Sequence, residues 1–328
     1  MKQILSLLFM FLLLLQLFSC SHKDNEKRQY LPIETLRADS ITIPPVLLSV
    51  TNMFIANDML VVYQQRNDTL FSFWKLPECK FLFAAGNRGV GPNDFLMLDR
   101  VFKETPQGFK TFEISSNKVK EIEISSDGIF HTSHIIPLDV EQRGLNRFLF
   151  LADSNYCFVS DKEEYEYSLL NKTGEIKDFS RYPTKLILKN DDELNRFVYN
   201  KLTVAHPTGD KFAAFYVYVK LCRIYDSHGN LLSETLLDKE KKASPGERNA
   251  IYAFFPCADE KNIYVLANSN NDNTLLEVWD WNGNISAQYQ LDRNISNFTY
   301  SPTHNVLYAV APNREDVIYV YNLNEEEH

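Results

Sequence analysis

Apolar residues along this chain come in short bursts. Runs of about four to six residues, rich in Tyr, Phe and β-branched side chains, are bounded by Asn, Asp, Gly or Pro, which is the pattern of strands joined by turns. Few stretches keep a 3.6-residue apolar period long enough to compete as helices. The bursts also repeat. Thr69-Leu70-Phe71-Ser72-Phe73-Trp74 aligns with Thr274-Leu275-Leu276-Glu277-Val278-Trp279, and Leu221 to Asp226 and Val317 to Asn322 fit the same register. Looser copies at Glu121 to Ser125 and Ser168 to Asn171 fill the interval, giving six copies.

Each copy is preceded by a second strand: Leu60 to Tyr63, Phe109 to Phe112, Tyr156 to Val159, Phe212 to Phe215, Ile263 to Leu266 and Leu307 to Val310. A first strand lies further upstream, as at Phe148 to Phe150, Ile251 to Phe254 and Phe298 to Tyr300. Four strands recurring every ~40 to 50 residues predict an all-β fold, a six-bladed β-propeller of four-stranded antiparallel blades. Repetition has a physical cause: one such sheet cannot bury both faces alone, whereas stacking on two neighbours does so. The 13% aromatic content supplies the bulky filling.

The sixth copy runs out after Tyr321 into a short acidic tail, too short for a fourth strand. Ahead of the first blade, the segment from Ile33 to Ile43 carries alternating Leu36, Ile41 and Ile43. This N-terminal strand is expected to complete the last blade and cover an edge that would otherwise aggregate. Residues 33–328 therefore read as one propeller domain, without room for a linker.

The net charge of -9 and pI near 5.4 argue against nucleic-acid binding, which usually needs a basic face. Cys79, Cys157, Cys222 and Cys257 fall in separate blades with no metal-type spacing. Cys222 and Cys257, in adjacent blades, are the pair that a disulfide would most readily join; the alternative is four thiols.

The N-terminus has the organisation of an export signal: Lys2, then the apolar run Ile4 to Leu15, too short to span a bilayer. Leu17-Phe18-Ser19-Cys20 resembles the bacterial lipobox, which implies a signal peptide at 1–19, lipidation of Cys20 and a polar tether at 20–32. Ser21 gives no inner-membrane retention signal. Lys23 to Glu26 resembles the surface-export signal of Bacteroidetes lipoproteins, and Asp39-Ser40-Ile41 and Asp68-Thr69-Leu70 fit that phylum's glycosylation pattern. The resemblance implies a lipid anchor in the outer membrane, facing the periplasm or the surface.

Gly86-Asn87-Arg88-Gly89-Val90-Gly91-Pro92-Asn93-Asp94-Phe95 resembles the loop that joins outer to inner strands in TolB-like and NHL-like propellers. Ala243 to Arg248 is similar to a decayed second copy. Together with the lipobox, the chain resembles the six-bladed propeller lipoproteins of Bacteroides-type bacteria. The glycines do not read as a phosphate cradle, since Pro92 and a strand follow where a helix would be required. Tight-turn geometry accounts for them, while Arg88 and Asp94 remain candidates for a ligand surface.

One constellation stands at the inner-strand starts: Asn52, Asp99, Asn146, Asn200, Asn249 and Asn297, with Arg100, Arg147 and Lys201 directly following three of them. In a propeller these positions ring one mouth of the central channel. A polar or anionic ligand held by the amides and cations is one reading; loop ends satisfying their own backbone is the other. Similar lactonase-type propellers bind calcium at comparable positions, but calcium wants several carboxylates and Asp99 is the ring's single acid. No cofactor is therefore expected, with Asp99 a weak calcium candidate. Asn270 to Asn273 resembles a calcium loop in composition alone.

No Gly-x-Ser-x-Gly, Ser/His/Asp arrangement or acid-base pair can be placed. The reading leans to a non-catalytic, monomeric envelope protein that binds a protein, peptide or glycan and touches the membrane only through the lipid on Cys20. The alternative is a propeller enzyme, a lyase or metal-dependent hydrolase working in the channel.

Overall fold

The computed structural model describes residues 31–44, 46–91, 93–125, 129–139, 147–237, 245–246, 248–268 and 274–323. The expected signal peptide, Cys20 and the expected tether as far as residue 30 lie outside them, as do Asn146 and the Asn270 to Asn273 segment. Leu31 apart, the described residues belong to one compact unit that begins at Pro32.

Six sheets, built on antiparallel meanders of consecutive strands and completed in two blades by N-terminal strands, form the ring of a six-bladed β-propeller. Blade 1 is Asn52–Ala56, Met59–Tyr63, Thr69–Lys75 and Lys80–Asn87. Blade 2 is Leu98–Thr105, Gly108–Glu113, Lys118–Ile124 and Phe130–Pro137. Blade 3 is Leu149–Phe150, Tyr156–Val159, Tyr165–Leu170 and Ile176–Arg181, and blade 4 is Lys201–Ala205, Lys211–Tyr216, Leu221–Asp226 and Leu231–Leu236. Blade 5 is Cys257–Ala258, Asn262–Asn268, Thr274–Asp280 and Ile285–Leu291. Blade 6 has Asn297–Ser301, Val306–Ala311 and Arg314–Asn322, with Asp39–Thr42 as its outer strand.

The core is divided among the blade junctions. Phe71, Phe73 and Phe95 pack with Phe109 and Ile122 between blades 1 and 2, and Phe112 and Val119 with Phe148 and Phe158 between 2 and 3. Tyr167 and Leu169 meet Phe212 and Tyr225 between 3 and 4; Phe215 and Ile224 meet Ile263 and Trp279 between 4 and 5. Leu276 and Val278 meet Phe298 and Tyr319 between 5 and 6. The last junction closes the circle, with Tyr308 and Ile318 of blade 6 against Leu60, Val62 and Trp74 of blade 1. Every blade thus buries both faces, as the repeat requires.

Closure uses the N-terminal segment in two pieces rather than one. Asp39–Thr42 pairs antiparallel with Val317 to Val320 and completes blade 6. Ile33–Leu36 crosses to blade 5 and adds a fifth, parallel strand beside Gln288 to Leu291, where Leu36 is buried in the junction core. Alternation of apolar residues identifies a strand but not which of two neighbouring edges it covers.

The inner strand of blade 5 also departs from the reading at Ile251 to Phe254. Regular pairing begins at Cys257–Ala258, and upstream only Tyr252 bridges, to Ala267. Pro256 lies between these points and cannot donate to a ladder. Leu194-Asn195-Arg196-Phe197 repeats Leu145-Asn146-Arg147-Phe148 in sequence, but among the described residues the two phenylalanines are placed differently. Asn195–Val198 is a helical turn with Phe197 exposed, whereas Phe148 is buried in a junction core. Among the described residues Cys79, Cys157, Cys222 and Cys257 are free thiols, so Cys222 and Cys257 are not joined.

Candidate functional site

Because every blade repeats one meander, the inner strands run in the same direction around the axis. Their starts share one mouth of the channel, and their first hairpins share the other. The channel holds about 920 Å³ and is lined from all six blades. This is within the range of sites that enclose small ligands.

Of the candidates read from the sequence, Asn52 and Arg100 line this space. The Asn52 side chain also ties blades 1 and 2 together: its Nδ2 donates to Arg100 O while its Oδ1 accepts from Met53 N at 2.7 Å. Asn297 does the same one junction earlier, donating from Nδ2 to Val50 O at 3.1 Å. Asp99, buried, accepts from Val101 N at 3.2 Å and, across the next junction, from Phe148 N at 3.3 Å. Burial pushes its carboxyl up to about 6 despite these backbone donors. Three members of the expected ring therefore act as stitches between blades. Asn200 precedes the inner strand of blade 4 and gives its carbonyl to Val217 N at 2.8 Å. Asn249 is exposed and lies eight positions ahead of the blade 5 inner strand, off the ring.

Lys201 is buried rather than presented to the channel. Its Nζ stands 3.3 Å from Glu166 Oε1 of blade 3 and 4.7 Å from the ring centroids of both Tyr167 and Tyr182. Glu166, fully buried, also accepts from Arg223 Nη1 and Ser180 Oγ at 2.8 Å, from Tyr225 Oη at 3.0 Å, and from Tyr216 Oη. Burial alone would raise this carboxyl, but Lys201 and Arg223 outweigh it and hold it below its ordinary range. Lys201 is in turn pushed down to about 8, because burial exceeds the attraction of Glu166. Arg147, at a backbone φ of 57°, contributes to the same field and is lowered by burial.

Glu277 of blade 5 repeats the device across the junction with blade 4, accepting from Lys220 Nζ at 2.9 Å, Tyr252 Oη at 3.0 Å and Trp279 Nε1 at 3.1 Å. In blade 1 the aligned position is Ser72, which accepts from Trp74 Nε1 at 3.0 Å. A polar residue two before the aromatic of the third strand was the available sign.

The loop from Gly86 to Phe95 folds onto itself. Gly91 N donates to Asp94 Oδ2 at 3.0 Å, and Lys120 Nζ holds Asp94 O at 2.6 Å. A Cβ on Gly89 or Gly91 would come within 2.5 or 2.6 Å of Asp94 Oδ2. Arg88 donates to the carbonyls of Gln65 and Asn67. Its two charged tips are thus engaged in shaping the turn.

The opposite mouth, formed by the first hairpins, was not read from the sequence. Lys103, Glu104, His206, Asp259, Glu260 and Lys261 line it, and their hairpins resemble ordinary turns in composition. His206 is buried, with Nδ1 2.7 Å from Thr208 Oγ1 and 3.0 Å from Asp210 Oδ1, and Nε2 3.1 Å from Glu260 O. Among the described residues no cluster of His, Cys, Asp or Glu has metal-binding geometry.

No protein-family model and no curated protein matches the chain. Solved structures do. A member of the DUF4221 family from Bacteroides vulgatus ATCC 8482 superposes with a TM-score of 0.57 at 11% identity, over 89% of this chain and 97% of that one. A "Putative exported protein" from Bacteroides fragilis NCTC 9343 gives 0.53 at 11% identity, over 87% and 94%. At this identity the likeness concerns the fold, and both cover nearly the whole propeller.

Proposed function

We propose that this chain is an exported, lipid-anchored envelope protein whose propeller is a non-catalytic binding module, with its ligand taken in the central channel. The observation that carries the binding reading is the channel: about 920 Å³, reached by all six blades and lined by aromatic rings together with charged groups. Phe54 and Phe102 stack there at 4.4 Å, and Arg100 stands 5.8 Å from the ring centroid of Phe255. Preformed apolar platforms with a few polar groups are the general make-up of ligand sites.

Export and anchoring rest on the leader at 1–19 and on Cys20, and the fold likeness to a Bacteroides fragilis protein described as exported supports them. The Gly86 to Phe95 loop supports the TolB-like and NHL-like subtype. Membrane contact would run through the lipid alone, with the propeller a monomer.

Two experiments test this. Cys20→Ala should release the protein from the membrane fraction; a variant that stays bound contradicts anchoring at that residue. For the channel, glycans and peptides are screened by thermal shift against the wild type and Thr303→Trp, an exposed lining position where added bulk narrows the mouth. A shift in the wild type that Thr303→Trp loses supports channel binding. Equal shifts in both contradict it, and a ligand converted to product favours the enzyme reading.

A further inference from the structure

We infer that the channel's ligand carries an anionic group, a carboxylate or phosphate, seated on Lys103 and Arg100. This rests on the channel-binding reading above and names the chemistry that reading leaves open.

Both cations lie on the inner strand of blade 2 and line the channel. Among the described residues neither has a carboxylate within ion-pair distance. Lys103 is half-buried. Its Nζ lies 3.0 Å from where a Cβ on Gly209 would stand, against the first hairpin of blade 4. Its cross-strand partner is another cation, Lys110, which is already tied to Glu121. Arg100 faces the ring of Phe255 instead of an acid.

The acids of the lining are placed elsewhere or already engaged. Asp259 accepts from Lys261 N at 2.7 Å, Asn262 N at 2.6 Å and Tyr264 Oη at 3.0 Å. Asp58, Glu104 and Glu260 are exposed at the hairpin end. The channel therefore carries exposed acids at its hairpin end and two cations without a carboxylate partner on the inner strand of blade 2, in a protein whose net charge is -9.

Partial burial of a cation without a counter-charge is unfavourable. An anion entering the channel would relieve that cost at Lys103, and charge-assisted hydrogen bonds to a carboxylate or phosphate are about twice as strong as neutral ones. The Phe54 and Phe102 stack beside these cations offers a flat apolar face for the remainder of the ligand. The proposed occupant is an anionic small molecule or oligomer with one face flat enough for the rings.

The test is isothermal titration calorimetry of the full chain with three probes: trigalacturonate, galactotriose of matching size but without carboxylates, and tripolyphosphate. The inference expects heat from at least one anion and none from galactotriose. Lys103→Gln and Arg100→Gln should each weaken that binding about ten-fold or more, with folding verified by circular dichroism. Whether trigalacturonate or tripolyphosphate binds separates a carboxylate ligand from a phosphate one. Galactotriose binding as tightly as trigalacturonate, unaffected by Lys103→Gln but lost in Thr303→Trp, overturns the anionic inference and leaves channel binding standing. Anion binding unchanged by Lys103→Gln, Arg100→Gln and Thr303→Trp overturns both. Absence of heat from both anions at millimolar concentration overturns the anionic inference.

Discussion

Across the junction of blades 3 and 4, Lys201 Nζ stands 3.3 Å from Glu166 Oε1, with both side chains almost wholly shielded from solvent. Arg223 holds the second oxygen of the same carboxylate at 2.8 Å, so one buried anion sustains two cations. Removing it leaves Lys201 uncompensated and Arg223 with Glu234 alone, at 2.6 Å from Nε. Glu166→Gln is expected to destabilise folding by about 3–5 kcal/mol, measured by urea unfolding. Glu277→Gln should cost less, because its partner Lys220 is 31% exposed and can turn to water. Equal losses for the two variants would contradict the argument.

Asp99 supplies a pH dependence whose sign follows from its burial. Its folded-state carboxyl titrates near 6, above the ordinary value of 3.8. A raised carboxyl favours the folded state fully below its unfolded value and loses that contribution as pH rises through the folded one. Relative to Asp99→Asn, the wild type should therefore lose about 3 kcal/mol of stability between pH 3 and pH 7. Parallel stability curves for the two proteins across that range would refute the assignment.

Gly86 and Gly174 separate two costs of adding a side chain. Both have positive φ, at 77° and 84°, but a Cβ on Gly86 would come within 2.7 Å of the Phe71 ring, whereas Gly174 has open space. Gly174→Ala should cost about 1 kcal/mol from backbone strain alone, and Gly86→Ala a further 1–3 kcal/mol from disturbed packing. Thermal unfolding of the two variants decides it.

The two N-terminal strands make different demands. Deletion through Arg37 removes the fifth strand of blade 5 and the buried Leu36 but leaves the ring closed. Deletion through Ile43 also strips the outer strand of blade 6 and a member of the junction core with blade 1. The first should lower the melting temperature of a still cooperative protein. The second should abolish cooperative unfolding and promote aggregation, as read by calorimetry and light scattering.

The fold could be read from the chain because each blade carries the same strand grammar, clearest where Trp74 and Trp279 end matching third strands. Ring closure was readable from Ile41 and Ile43, but assignment of Ile33–Leu36 to blade 5 was not, since pairing partners are set by geometry far along the chain. Spacing brought Asn52, Asp99, Asn200 and Asn297 to or beside inner-strand starts but put Asn249 eight residues ahead of one. The role of Asn52, Asp99 and Asn297 as inter-blade stitches was hidden because their partners are backbone atoms, which leave no trace in residue identity. Glu166, Arg223 and Glu277 did leave one, as charges inside otherwise apolar third strands. Lys103 near the end of one inner strand and His206 just after another left no such trace, since both border turns of ordinary composition.

Hydrogen-deuterium exchange of the full chain, with and without saturating trigalacturonate, tests the channel claim most directly. Protection confined to peptides covering 98–105, 203–209 and 255–262 is the expected result. Protection confined to outer strands such as 80–87 and 231–236, with the channel peptides unchanged, would contradict it.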